Sequence, residues 1–275
     1  MRNWKQESRH PLLRKYIDCY WLLEKSPDDI SLDFPKLNPD PAAHFILAPA
    51  EQTFHYQFQH ENVSGLGCHL ILPNTNTLTL DHSKAFIIVG IKFHVGALYG
   101  LKGFETLPLI NQILTQDHGL PLDWFQNRTS LFESKSEQKE VICQKLDSLL
   151  IKWIEQSQID KHSQLVQKAL TLFKQTDISQ MGEKLHCAQR TIERSFKRVT
   201  GLSLKQYANM VNFEELLIYL HQQTNTPINW VDVAAKYGFS DQPHLIRQLK
   251  NTIGRTPGNY IKQRDLTIDV YGNFE

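Results

Sequence analysis

The sequence has no close pair of cysteines. Its four cysteines, Cys19, Cys68, Cys143 and Cys187, are scattered and form no CxxC motif. A disulfide framework or a structural zinc site would need cysteines grouped at short spacings. We therefore expect reduced, mostly structural thiols in a reducing compartment.

Long hydrophobic runs are also absent. The most hydrophobic short stretch, residues 85–91, is far shorter than the roughly 20 residues that a membrane helix needs. The first seven residues carry charges of both signs and lead into no apolar segment, so they do not have the pattern of a secretion signal. We expect no membrane association and a cytoplasmic protein.

Net charge is small, +1 at neutral pH, but it is unevenly distributed. Residues 1–159 contain 15 Lys and Arg against 18 Asp and Glu, a net charge of −3, and the last ten residues add −2. Residues 160–265 contain 15 against 9, a net charge of +6. A basic segment in a near-neutral chain is typical of a module that binds phosphate groups.

Two kinds of hydrophobic pattern divide the chain. Between residues 11 and 95, short apolar or alternating stretches such as residues 44–47 and 86–89 are separated by Pro, Gly and Asn. This pattern predicts a small antiparallel sheet, either closed as a β-barrel or left as a half-barrel. From about residue 97 the spacing becomes helical, so the predicted fold class is α+β with an all-α C-terminal part.

One predicted helix before the basic segment has a strongly apolar face. Ile142, Leu146, Leu149 and Trp153 follow each other at spacings of 4, 3 and 4 residues, which places them on one side of a helix. Such a stripe usually packs in the core of its own domain. A contact between two copies of the chain is the alternative, and it would make residues 137–157 a dimer interface.

The basic segment contains two short amphipathic helices separated by a tight break. The apolar face is formed in the first helix by Ile178, Met181 and Leu185 and in the second by Ile192, Phe196 and Val199. The opposite face of the second helix carries long polar side chains, Gln189, Arg190, Glu193, Arg194 and Lys197. This arrangement is typical of a helix-turn-helix motif, whose second helix enters the major groove of DNA. A solvated charged helix face is the simpler alternative.

The same arrangement recurs further along the chain. Apolar residues form one face of each helix, Ile228, Val231, Ala234 and Ala235 in the first and Leu245 and Leu249 in the second. Residues 238–241 mark the break between them, with Gly238 in the turn and either Ser240 or Asp241 as the N-cap of the second helix. Gln242, His244, Arg247 and Lys250 are expected to point outward. Because residues 203–222 are predicted to form one long helix between the units, the two recognition helices should lie about one DNA turn, roughly 34 Å, apart.

These residues also carry a family resemblance. The run from Ala234 to Gln242 (AAKYGFSDQ), followed by Lys250, Gly254, Thr256, Pro257 and Tyr260, resembles the signature segment of AraC-family regulators. Residues 190–197 (RTIERSFK), followed by Gly201 and Tyr207, are similar to the first unit of that family. The resemblance implies a seven-helix domain that inserts both recognition helices into adjacent major-groove segments of DNA.

The resemblance also implies individual contacts with DNA. Base contacts are expected from Arg190, Glu193 and Arg194 in the first recognition helix and from Gln242, His244 and Arg247 in the second. Arginine suits guanine, glutamine suits adenine, and glutamate can accept a hydrogen bond from cytosine. Lys197 and Lys250 should lie nearer the phosphates. Apart from the resemblance, several of the cations Lys197, Arg198, Lys205, Lys250 and Arg255 are expected to meet phosphates. Ala188 stands where a serine-like helix cap is common in the family.

The N-terminal half resembles an uncharacterised cupin-like sensory domain at scattered positions. These include Pro11 and Leu12, residues 16–21, Pro39 and Asp40, and residues 89–97. Six histidines, at positions 44, 55, 60, 69, 82 and 94, show no HxH or HxxxH spacing, so no metal site is expected. The aromatic residues of this half are interpreted mainly as core, with an apolar effector pocket as the alternative.

The predicted domains are a sensor or dimerisation domain at residues 1–157, a DNA-binding domain at 158–265 and a tail at 266–275. The chain is interpreted as a sequence-specific transcription regulator with no catalytic residue and no cofactor. Its expected partner is double-stranded promoter DNA, while RNA polymerase, a small-molecule effector and a second copy of the chain stay open. The alternatives are a metal-dependent cupin-type enzyme or DNA-modification sensor fused to a DNA-binding module, and a sequence-tolerant architectural protein.

Overall fold

The structure is a computed structural model that describes residues 1–58, 61–104, 110–115, 131–132, 138–173, 175–223 and 228–271. Its strands all lie in the first 115 residues. They are β1 (Arg2–Gln6), β2 (Ile17–Lys25), β3 (Lys36–Leu37), β4 (His44–Leu47), β5 (Thr53–Phe58), β6 (Glu61–Leu66), β7 (His69–Ile71), β8 (Leu78–Leu80), β9 (Phe86–Phe93) and β10 (Ile113–Leu114). A large sheet has the strand order β1-β2-β9-β4-β7-β10, and a small sheet has the order β3-β8-β5-β6.

The large sheet is the middle layer of the N-terminal part. Successive side chains of a strand point to opposite faces, and β2 is almost entirely buried because both of its faces are covered. Tyr20 and Leu22 lie in one core, whereas Trp21 and Leu23 lie in a second core shared with the small sheet. The predicted β-rich N-terminal part is confirmed. Its described strands form two open sheets rather than a closed barrel.

Helix α1 (Lys139–Ile154) covers the other face of the large sheet. Ile142, Leu146 and Trp153 of its apolar stripe are buried there, and Leu146 has no exposed surface. Tyr20 Oη donates a hydrogen bond of 2.6 Å to Asp147 Oδ1 and ties the helix to β2. The simpler interpretation of the stripe, packing in the core of its own domain, holds for these three residues, which are unavailable for a contact between two copies. Leu149 is partly exposed.

The C-terminal part is all-α in the residues described. Its helices are α2 (Lys161–Leu172), α3 (Met181–Lys184), α4 (Gln189–Thr200), α5 (Leu204–Gln222), α6 (Trp230–Lys236), α7 (Gln242–Ile253), α8 (Pro257–Gln263) and α9 (Thr267–Tyr271). Helix α5 joins two small cores. Leu204 and Met210 belong to the first, with α2 and α4, while Phe213 and Leu217 belong to the second, with α7. The predicted long helix between two helical units is confirmed.

The segment from Asp265 to Tyr271 links the second helical unit to the sheets. Lys36 N donates a 2.8 Å hydrogen bond to Asp265 O, and the Asp265 carboxylate lies 3.3 Å from Lys36 Nζ and 2.9 Å from Arg255. Leu266 is buried in the core of the second unit, and Tyr271 is buried in the core between the two sheets. Residues 266–271, predicted to begin a tail, thus pack against both parts of the molecule.

None of the helices that the structure describes combines the length and apolarity needed to cross a membrane.

Candidate DNA-binding surface

The first helix-turn-helix unit consists of α3 and α4 and packs against α2. Between α3 and α4 the chain turns sharply at His186, which adopts a left-handed backbone conformation with φ of 49°. Ile192 and Phe196 of α4 have no exposed surface and pack in a core with Val166 of α2. Helix α4 ends at Gly201, whose φ of 74° suits the position past a helix C-terminus.

The opposite face of α4 is exposed and carries the predicted contact residues. Arg190, Glu193, Arg194 and Lys197 are all exposed. Glu193 accepts a weak hydrogen bond of 3.4 Å from Gln189, and Lys197 Nζ donates to the carbonyl of Gly201 at the end of its own helix. Lys197 therefore has to release that carbonyl to reach a phosphate, whereas the guanidinium groups of Arg190 and Arg194 extend into solvent.

The start of α4 is weakly capped. Ala188 occupies the N-cap position with an extended backbone, and it has no side-chain oxygen to accept from the first turn. The first backbone N–H groups of a helix have no partner within the helix, and a Ser, Thr, Asp or Asn at the N-cap usually satisfies one of them. The N-terminal turn of the first recognition helix consequently lacks one stabilising hydrogen bond.

The second unit consists of α6 and α7 and is capped more firmly. Gly238, with φ of 77°, makes the turn between the helices. Asp241 Oδ1 accepts a 2.6 Å hydrogen bond from His244 N and caps α7. Leu245 and Leu249 have no exposed surface, whereas Arg247 and Lys250 are exposed on the opposite face and Gln242 is half-buried at the first turn.

His244 is placed differently from the other predicted contacts. Its ring is half-buried and lies against Phe239, with the ring centroids 5.5 Å apart. Its Nδ1 atom is 3.2 Å from both the backbone nitrogen and the hydroxyl of Ser240. The imidazole therefore stabilises the turn before α7. Sequence spacing indicated only that position 244 lies near the outer face of the helix.

Two of the predicted phosphate contacts have partners within the chain. Arg198 Nε donates a 2.7 Å hydrogen bond to Tyr99 Oη, and its guanidinium lies 5.8 Å from the centre of that ring. Arg255 pairs with Asp265 at 2.9 Å. Lys205 is exposed at the start of α5. The sequence carries no local signal for these pairings because Arg198 and Tyr99 are 99 residues apart.

The buried histidines of the N-terminal part each have a partner that is not a metal. His44 Nε2 lies 3.0 Å from Asp40, His69 Nε2 lies 2.8 Å from Tyr56 Oη, and His82 hydrogen-bonds to Tyr271. His60 lies outside the described residues. Within the described ranges, no group of three or more His, Cys, Asp or Glu side chains is arranged to hold a metal ion.

A single long helix, α5, lies between the two helix-turn-helix units. Helix α5 has 19 residues and at 1.5 Å per residue is about 28 Å long. Its first turn is fixed by a reciprocal cap, in which Ser203 accepts from Gln206 N and Gln206 accepts from Ser203 N. A connecting helix of this length is compatible with two helix-turn-helix units that contact the same face of a DNA duplex, in which one turn is roughly 34 Å long.

Comparisons with known proteins agree with the architecture of this segment. Residues 181–263 match the family model described as a helix-turn-helix domain. No curated protein sequence matches the chain.

Solved structures of ToxT from Vibrio cholerae are similar in outline. One at 1.65 Å resolution is 8% identical, with a TM-score of 0.45 over 88% of this chain and 97% of that chain. ToxT bound to (E)-4-(8-methylnaphthalen-1-yl)but-3-enoic acid is 10% identical, with a TM-score of 0.46 over the same shares. From the residue pattern, the paired units on α5 and the family match, residues 181–263 are a helix-turn-helix domain of the AraC type.

Proposed function

We propose that this chain is a sequence-specific transcription regulator that inserts α4 and α7 into adjacent major-groove segments of promoter DNA. The observation that carries the proposal is the pair of similar helix-turn-helix units on one rigid helix, each with an exposed, arginine-bearing face. One helix pair with a charged outer face resembles many ordinary solvent-exposed helical surfaces. Two in the same order, joined by a helix about 28 Å long, are suited to contacts with successive major-groove segments of one duplex.

The exposed side chains divide into two roles in this proposal. Arg190 and Arg194 of α4 and Arg247 of α7 contact base edges, since a guanidinium can form two hydrogen bonds with one guanine. Glu193 and Gln242 lie on the same faces and suit cytosine and adenine. Lys197, Lys205 and Lys250 bind phosphates. His244 stabilises the turn before α7 and is not assigned a contact with a base.

The N-terminal domain, residues 1–157 in this proposal, modulates the DNA-binding domain at 158–265. Its contacts with both helical units support that role. Tyr99 binds Arg198 of the first recognition helix, and Lys36 binds Asp265 beside the second unit. A small molecule that alters the sheets would thereby alter the position of one unit relative to the other. RNA polymerase and a second copy of the chain are further partners compatible with a promoter-binding protein.

Selection from a pool of random duplexes tests the proposal. The full chain should enrich one sequence class, and its affinity for the selected duplex should fall steeply with salt because bound cations are released from the phosphates. Lys250→Ala should weaken binding to selected and random duplexes by similar factors and lower the salt slope by about 1. Failure to enrich any sequence, or an affinity independent of salt, would contradict the proposal.

A further inference from the structure

The outward faces of the two recognition helices differ in polarity. Along α7, the exposed Pro243 and the half-buried Ile246 have side chains without polar atoms. The exposed side chains of α4 are all charged, and they are Arg190, Glu193, Arg194, Lys197 and Arg198. The two helices therefore offer different chemistry to the edges of DNA bases.

Pro243 and Ile246 belong to the same part of the α7 surface as the predicted DNA contacts. Residues three and four positions apart are neighbours on the surface of a helix. Pro243 therefore adjoins both Ile246 and Arg247, and Ile246 adjoins Lys250. Pro243, Arg247 and Lys250 are all exposed. A duplex that contacts Arg247 thus also meets these two apolar side chains.

Packing within the chain does not account for this apolar pair. Leu245 and Leu249 are the side chains by which α7 joins the core of the second unit. Ile246 belongs to none of the hydrophobic cores that the described residues form, and Pro243 is exposed to solvent. Both side chains are available for a contact outside the chain.

The first turn of α7 is poorly suited to a phosphate. Free N–H groups at a helix N-terminus commonly bind phosphate. In α7, Pro243 has no N–H group, and His244 N donates its 2.6 Å hydrogen bond to the carboxylate of Asp241. That carboxylate also repels an anion. The chemistry of this turn favours the edges of bases over the DNA backbone.

The C5 methyl group of thymine is the apolar group that base edges present in the major groove. We propose that Pro243 and Ile246 pack against thymine methyl groups beside the guanine bound by Arg247. The half-site of α7 is then read partly through apolar contact, whereas the half-site of α4 is read through polar contacts. This inference rests on the proposed function, because it requires α7 to lie in the major groove.

Replacement of single thymines by deoxyuridine in the selected duplex tests the inference, since uracil pairs with adenine but lacks the methyl group. The half-site of α7 is the one in which Arg247→Lys relaxes the preference at one base pair. Uracil beside that base pair, on either strand, should weaken binding of the full chain by about 3- to 5-fold, the factor expected for one buried methyl group. Uracil in the other half-site should leave the affinity unchanged.

Fluorescence anisotropy measures these affinities. If no uracil in the α7 half-site weakened binding, or if uracil weakened binding equally in both half-sites, the inference would be overturned.

Two variants assign the methyl contact to its residues. Pro243→Ser removes the apolar ring, and Ile246→Ala removes most of the apolar side chain. Each should weaken binding to the thymine duplex and reduce the difference in affinity between the thymine and uracil duplexes. Asn251→Ala, at an exposed position of α7 outside the apolar pair, is the control and should keep the full difference. A difference that persists unchanged in both Pro243→Ser and Ile246→Ala would contradict the assignment.

Loss of sequence selection and loss of the methyl effect have different meanings. A chain that selects no duplex would disprove the proposed function and the inference with it. A chain that selects a duplex through Arg247 but binds its uracil forms equally well would contradict the inference alone. In that case α7 would read DNA through polar contacts only.

Discussion

Arg247 and Lys250 lie almost one turn apart on the exposed face of α7 and offer DNA different chemistry. The planar guanidinium of Arg247 can hold one guanine through two hydrogen bonds, a geometry that the ammonium of lysine cannot reproduce. Arg247→Lys keeps the charge but should cost about 1–3 kcal/mol at the selected duplex and relax the preference at one base pair. Anisotropy titrations on selected and random duplexes measure both effects, with Lys250→Ala as the control that weakens the two alike. If Arg247→Lys lost affinity equally for the selected and the random duplex, Arg247 would be a phosphate contact.

The contacts of individual side chains were harder to predict from the sequence than their exposure. The spacing along α4 and α7 correctly placed Arg190, Arg194, Arg247 and Lys250 on exposed faces, because helical periodicity alone decides which face is buried. The same periodicity could not foresee that the His244 ring turns back to Ser240. The orientation of the His244 ring depends on the turn before the helix and on the neighbouring Phe239 ring. Residue spacing carries no information about either.

Capping distinguishes the two recognition helices at the level of whole elements. Asp241 caps α7, whereas Ala188 leaves the start of α4 without a side-chain acceptor. Ala188→Ser should supply that acceptor and raise the free energy of unfolding by about 1 kcal/mol, and Asp241→Ala should lower it by a similar amount. Urea unfolding followed by circular dichroism measures both. If Ala188→Ser leaves the unfolding midpoint unchanged, water already satisfies the first turn of α4.

The helical elements were predictable because their determinants are local. Apolar spacing gave α4, α5 and α7, and the glycines at 201 and 254 end α4 and α7 in left-handed conformations. Local sequence pattern was insufficient to predict which surface an apolar helix face packs against. The stripe on α1 has the same spacing whether it faces a second copy or its own sheet, and only packing against β2 settles that it lies in the core.

At the scale of the whole molecule, contacts distant in sequence hold the two parts together. Asn3 donates to the carbonyl of Tyr271, 268 residues away, and His82 hydrogen-bonds to the Tyr271 hydroxyl. No periodicity or motif marks such pairs, so the packing of residues 266–271 could not be predicted. These residues join the core between the sheets to the core of the second helical unit.

Two buried histidines should make the folded molecule sensitive to acid. Burial, followed by the nearby Lys25 ammonium, lowers the pKa of His82 to about 3, and burial lowers the pKa of His69 to about 4. Their unfolded pKa is about 6.5. Between pH 6.5 and 4 the unfolded chain therefore binds protons that the folded chain does not. As the pH is lowered through this range, the free energy of unfolding of the protein should fall by up to about 1.4 kcal/mol per pH unit for each histidine.

Urea unfolding across this pH range measures that slope. His69→Gln and His82→Gln should each reduce it, whereas His55→Gln, at an exposed position, should not. A slope unaffected by both buried replacements would mean that these rings take up protons equally in the folded and unfolded chain.

In the proposed function, α4 and α7 contact two adjacent major-groove segments of DNA. Dimethyl sulfate methylates guanine at N7, in the major groove, so methylation interference on the selected duplex detects these contacts. We predict two clusters of interfering guanines on one face of the duplex, about 10 base pairs apart, with Arg194→Ala removing one cluster and Arg247→Ala the other. A single cluster that only Arg247→Ala removes would contradict this proposal and leave α4 with backbone contacts alone.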